Sequence, residues 1–70
     1  MRVYIKNKEG QGRALNAFLD GRWLSIRPKD SAAWCFELKP QELKDFEAGI
    51  PIFEKARSEG RWPWTVRLIK

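Results

Sequence analysis

The sequence predicts a small α+β domain. The expected architecture is an antiparallel sheet of four to six short strands with one helix, about residues 40–48, packed on one face. Three observations predict it. Several segments alternate apolar and polar residues with the period of a half-buried strand. An Asp-Gly dipeptide joins two of them, which is a hairpin signal. One amphipathic stretch opens on proline and closes on glycine, as a helix does. Open sandwich and small curled barrel both fit this pattern.

The elements follow in order. Arg2, Val3, Tyr4, Ile5 and Lys6 alternate, a first strand over about 2–7. Lys8-Glu9-Gly10-Gln11-Gly12 breaks the alternation as a loop. Ala14–Leu19 and Arg22–Arg27 flank Asp20-Gly21, which is expected to form a type I′ turn. That turn sets Leu19 opposite Arg22, Phe18 opposite Trp23, Ala17 opposite Leu24 and Leu15 opposite Ile26. The aliphatic side chains then share one face, while Phe18, Trp23 and Arg27 share the other.

Pro28 to Ser31 reads as a loop, and Trp34, Phe36 and Leu38 alternate as a further strand with Cys35 packed small between the rings. The helix runs from Pro40 to Ala48 with Leu43 and Phe46 as its apolar stripe and Gly49 as its stop. Residues 50–59 suit either a strand or a short helix; Ile50-Pro51-Ile52-Phe53 favours extended backbone, so a strand is expected. Residues 64–69 alternate as the last strand, beginning at an edge or bulge because Pro63 has no N–H to give a ladder.

With 70 residues and no repeat, low-complexity tract or linker, residues 1–70 read as one compact domain. The core must be thin at this length. Four Trp and four Phe supply much of its apolar area.

Composition narrows the function classes. Histidine is absent and Cys35 is the one cysteine, so the Cys/His ligand sets of zinc sites are missing. Nucleophile pairs that use histidine as base are missing too. The carboxylates Glu42, Asp45 and Glu47 read as a solvated helix face. No catalytic, cofactor-binding or metal-binding constellation stands out, and a non-enzymatic binding domain is expected. A charge on either side of the apolar run Val3-Tyr4-Ile5 leaves no signal-peptide core. A cytoplasmic setting without a membrane partner is expected, as a monomer or weak dimer.

The net charge of +5 is unevenly placed. Residues 1–36 hold seven basic and three acidic side chains, residues 37–59 four and six, and residues 60–70 three and none. Such segregation steers an acidic partner to one part of a surface.

The sharpest candidate site is an aromatic and basic sheet face. Phe18, Trp23 and Arg27 share a side of the hairpin, and Arg2, Tyr4 and Lys6 join them if the first strand pairs in matching register. Rings beside cations suit single-stranded nucleic acid, because bases stack on rings while cations meet phosphates. A chain this short also needs its rings inside, so burial of Phe18 and Trp23 is the first structural expectation.

A second candidate is Arg61-Trp62-Pro63-Trp64, a rigid aromatic platform with arginines near it. Trp64 is expected in the core, with Trp62 free to shield an edge or meet a partner. A third is Gly10-Gln11-Gly12-Arg13, whose amides and Arg13 side chain could meet a phosphate, though an ordinary turn is the simpler reading. Two functions follow. One is nucleic-acid binding through the basic aromatic face. The other is a protein-binding accessory or inhibitor module, of the kind carried by phages and mobile elements, docking on an acidic partner surface.

Overall fold

A computed structural model describes residues 1–70 and shows a five-stranded antiparallel sheet, not closed into a barrel, with two short helices. The strands are β1 (Arg2–Lys6), β2 (Gly12–Asp20), β3 (Trp23–Arg27), β4 (Trp34–Glu37) and β5 (Thr65–Ile69). Their order across the sheet is β4-β3-β2-β1-β5. Four strands thus form a meander, and the last returns beside the first after the helices α1 (Pro40–Glu47) and α2 (Glu54–Ser58).

One face of the sheet carries the core. Val3 and Ile5 of β1, Leu15 and Ala17 of β2, Leu24 and Ile26 of β3 and Val66 of β5 are buried there. Leu38, Phe46 and Ile52 cover them from the segments between β4 and β5. Full burial of one such side chain is worth about 1.5–3 kcal/mol, so this ten-residue cluster holds the apolar driving force of the fold. Neither helix is long and apolar enough to cross a membrane.

Helix α1 starts where Pro40 needs no donor of its own. The Glu42 carboxylate accepts the Lys39 N–H at 2.8 Å. Its end is a Schellman motif. Ile50 N–H donates to the Asp45 carbonyl at 2.8 Å and Gly49 N–H to Phe46 at 3.1 Å, with Gly49 at φ +81°. Helix α2 ends the same way: Arg61 N–H donates to Ala56 at 2.9 Å and Gly60 N–H to Arg57 at 3.1 Å.

The β2–β3 hairpin differs from the expected register. Asp20 pairs with Trp23, Leu19 with Leu24, Phe18 with Ser25 and Ala17 with Ile26. The loop is therefore Gly21-Arg22, with Gly21 at φ +59° and Arg22 outside the left-handed region. Positive φ at the first loop residue alone is the pattern of a type II′ turn. Moving the loop by one residue gives that conformation to glycine rather than to Asp20. It also sets Leu19 against Leu24 instead of Arg22, so apolar side chains meet apolar ones along the core face. The shift preserves side-chain parity, and each residue stays on its expected face.

Residues 50–59 do not form the expected strand. Only Ile52 is extended into the sheet, exchanging hydrogen bonds of 2.8 and 3.1 Å with Val66. The helix formers from Glu54 onward then take over as α2. Between them Phe53 turns the chain at φ +70°. Cys35 is exposed rather than packed, because the rings of Trp34 and Phe36 turn to the core side and leave it on the other.

Candidate functional site

The sheet face opposite the core is uncovered. On it, β1 presents Arg2, Tyr4 and Lys6, and the β1–β2 register sets these beside Asn16, Ala14 and Gly12. Phe18 of β2 and Trp23, Ser25 and Arg27 of β3 lie on the same side. The matching register that joins the first strand to the hairpin is therefore present.

Phe18 and Trp23 are exposed, at 61% and 56%. This corrects their expected burial. The C-terminal strand pairs with β1 at the far side of the sheet, so it does not cover them, and the sheet does not curl over itself. With Phe18 opposite Ser25 and Trp23 opposite Asp20, the rings are diagonal neighbours. Residues so placed are about 7–8 Å apart, within reach for aromatic side chains.

Cations stand toward the other end of the face. Arg27 and Arg2 flank Asn16, one strand to either side, which puts their Cα atoms roughly 10 Å apart. Beyond them Tyr4 pairs with Arg67 of β5. The Arg67 guanidinium carbon lies 5.1 Å from the Tyr4 ring centroid, a cation–π arrangement. A concavity of about 340 Å³ opens here, where Lys6, Arg57 and Arg67 surround Thr65. Arg57 is committed to the backbone, donating to the Lys6 and Asn7 carbonyls at 3.2 and 3.1 Å.

Glu54 also lines that concavity, and two further acids sit at the Trp23 corner. Asp20 and Glu37 flank Trp23 across the sheet, and Glu37 is paired with Arg22 at 3.1 Å. The face thus runs from rings beside carboxylates to a ring beside cations. Cys35 and Ser25 lie between, with Cys35 Sγ 3.7 Å from Ser25 Oγ.

Comparison with protein-family models, with curated proteins and with solved structures finds no match to this chain. What the face can do is therefore read from its own side chains.

Three of the expected site residues lie elsewhere. Arg13 pairs with Ile5 and so belongs to the core side of the sheet, exposed past the edge of the core. Arg61 is exposed and engaged with Glu59 at 2.7 Å. Trp62 is half-buried, its ring 5.2 Å from Trp34 and 5.1 Å from Phe36 in edge-to-face geometry. Trp62 therefore shields the core at the β4 side, and Trp64 packs on the core as expected.

The glycine loop forms an ordinary turn. Asn7 organises it: its Oδ1 accepts the Gln11 N–H at 2.9 Å and its carbonyl the Gly10 N–H at 3.1 Å. Those amides are used within the loop and make no anion cradle.

Sequence reasoning left Arg67 off this face. Its alternation with Val66 and Leu68 gave its side of β5, but nothing in the alternation names β1 as the partner strand.

Proposed function

We propose that this chain is a non-catalytic binding domain that takes single-stranded nucleic acid on its open sheet face. The observation that carries the reading is the exposure of Phe18 and Trp23, at 61% and 56%, on the same surface as Arg2, Lys6, Arg27 and Arg67. Two large rings left in water on a chain with so thin a core are a cost that stacking on a ligand would remove. Each stacked base is worth about 1–3 kcal/mol. A duplex offers its base edges only inside its grooves, and this face is a sheet surface with its rings lying on it, so unpaired bases are the matching ligand.

The charges divide the work. Phosphates belong near Arg27, Arg2, Lys6 and Arg67, away from Asp20 and Glu37. Bases belong over Phe18 and Trp23, where no cation is needed. The acidic side chains of α1 lie in the other layer, away from these four cations.

The test is fluorescence anisotropy of a labelled thymidine 12-mer and of a duplex of equal length. Micromolar affinity for the single strand, weaker for the duplex and falling with salt, is the expected result. No binding of either at low salt would rule the reading out.

A further inference from the structure

We propose that the groove beside β4 is a second docking site, one that takes an extended acidic segment of a partner protein as an added strand. This site runs along the outer edge of β4 with its rings on the core side of the sheet, and it does not depend on the nucleic-acid reading.

The two sheet edges are treated differently. At the β5 edge, Ile52 exchanges both backbone hydrogen bonds with Val66, so the chain itself covers that edge at Val66. At the β4 edge nothing is added. Leu38 N–H donates to the Arg22 carbonyl at 2.8 Å, which in this antiparallel register turns residues 34, 36 and 38 toward β3. The N–H and C=O groups of Cys35 and Glu37 therefore point outward with no strand to meet them. An uncovered edge of this kind is a template for strand addition.

Beside that edge lies a groove of about 620 Å³, its apolar lining made by Phe36, Phe53, Ala56 and Trp62. Two costs are concentrated there. Phe53 is the one non-glycine residue with positive φ, at +70°, a conformation unfavourable for a bulky side chain. Trp62 carries a buried indole N–H without an acceptor, a loss that buried donors seldom bear. A peptide strand supplies what the β4 edge lacks, carbonyl acceptors and amide donors in register, and places an apolar side chain against the rings at every second position.

Charge selects an acidic segment. Lys39, Lys55 and Arg61 line the groove together with Glu37 and Glu42. Glu37 is paired with Arg22 at 3.1 Å and Arg61 with Glu59 at 2.7 Å, which leaves Lys39 and Lys55 against the single carboxylate of Glu42. Lys39 and Lys55 form no ion pair within the chain. A second copy of this chain, which also carries +5, is disfavoured as the occupant.

The experiment is an amide chemical-shift titration of the full chain with an end-blocked peptide of alternating Glu and Val. Two control peptides carry Lys in place of Glu, or N-methyl groups on the edge-pairing amides. Shifts at the Cys35 and Glu37 amides and the Trp62 indole are expected, with affinity reduced on the order of tenfold for the Lys peptide and for the Lys39→Glu, Lys55→Glu variant. The proposal is overturned by no shift at those groups at millimolar peptide, or by shifts that N-methylation leaves unchanged. It is equally overturned if those amides move with protein concentration alone, which marks a second copy, or if the Trp62 indole, remote from the open face, moves with the thymidine 12-mer, which marks nucleic acid in the groove.

Discussion

Tyr4 and Gly12 are in contact across β1 and β2 in a way that admits no side chain at Gly12. A Cβ built there would overlap the phenol end of Tyr4 and the Ile5 carbonyl. The missing side chain lets the Tyr4 ring lie down on the sheet, where Arg67 meets it at 5.1 Å. Gly12 opens β2, and the space it leaves fixes the ring that positions a cation on the open face.

Gly12→Ala is therefore expected to destabilise the fold by about 1–3 kcal/mol, the range for forcing atoms into occupied space. Urea unfolding of the variant checks this. Adding Tyr4→Ala should recover part of the loss and not all of it, because the Ile5 carbonyl stays in the way. Full recovery would show that the ring alone opposes the methyl group.

Arg67→Gln should weaken binding of the thymidine 12-mer and flatten its salt dependence. Four phosphate contacts, one each for Arg2, Lys6, Arg27 and Arg67, give a slope of about −2.8 for a single strand. That is roughly a fifty-fold loss of affinity for a fourfold rise in salt. With one contact removed the loss falls to roughly twenty-fold. An unchanged slope would take Arg67 out of the phosphate path.

Phe18→Ala and Trp23→Ala should each cost about 1–3 kcal/mol of binding, roughly five- to more than a hundredfold in Kd. Both side chains are more than half exposed, so the melting temperature should scarcely move. Tyr4→Phe should leave binding nearly intact, since the Tyr4 ring is occupied by Arg67 and supports a cation rather than a base. Anisotropy and thermal melts on the same samples separate the two effects.

Much of this was legible in the sequence because alternation fixes faces independently of pairing. Val3, Ile5, Leu15, Ala17, Leu24, Ile26 and Val66 are buried where the alternation puts them, Ile69 being the aliphatic residue of β5 left exposed, and Leu43 and Phe46 are the residues α1 packs inward. Register was less legible. Asp20-Gly21 and Gly21-Arg22 are both short loops around a glycine, and the choice between them is made by which pairs of side chains meet, Leu19 with Leu24 above all. Exposure of Phe18 and Trp23 was not legible either, since it depends on where β5 returns. Residues 50–59 divide because Ile52 gains a partner in Val66 while Glu54 to Ser58 have none, and a local helix satisfies their backbone instead.

Phe53 offers a test of the strain beside β4. Replacing it with alanine or with glycine removes the same ring from Phe36, whose centroid lies 5.0 Å away. Ordinarily alanine is the more stable choice, because glycine has more chain entropy to lose. At φ +70° the order should reverse, since the left-handed conformation costs a residue with Cβ about 1–2 kcal/mol and glycine nothing. Phe53→Gly is thus expected to be the more stable of the two by about 1 kcal/mol, measured by denaturant unfolding. Alanine proving as stable as glycine would mean that residue 53 relaxes out of the left-handed region once the ring is gone, and that packing against Phe36 is what holds the turn into α2 in place.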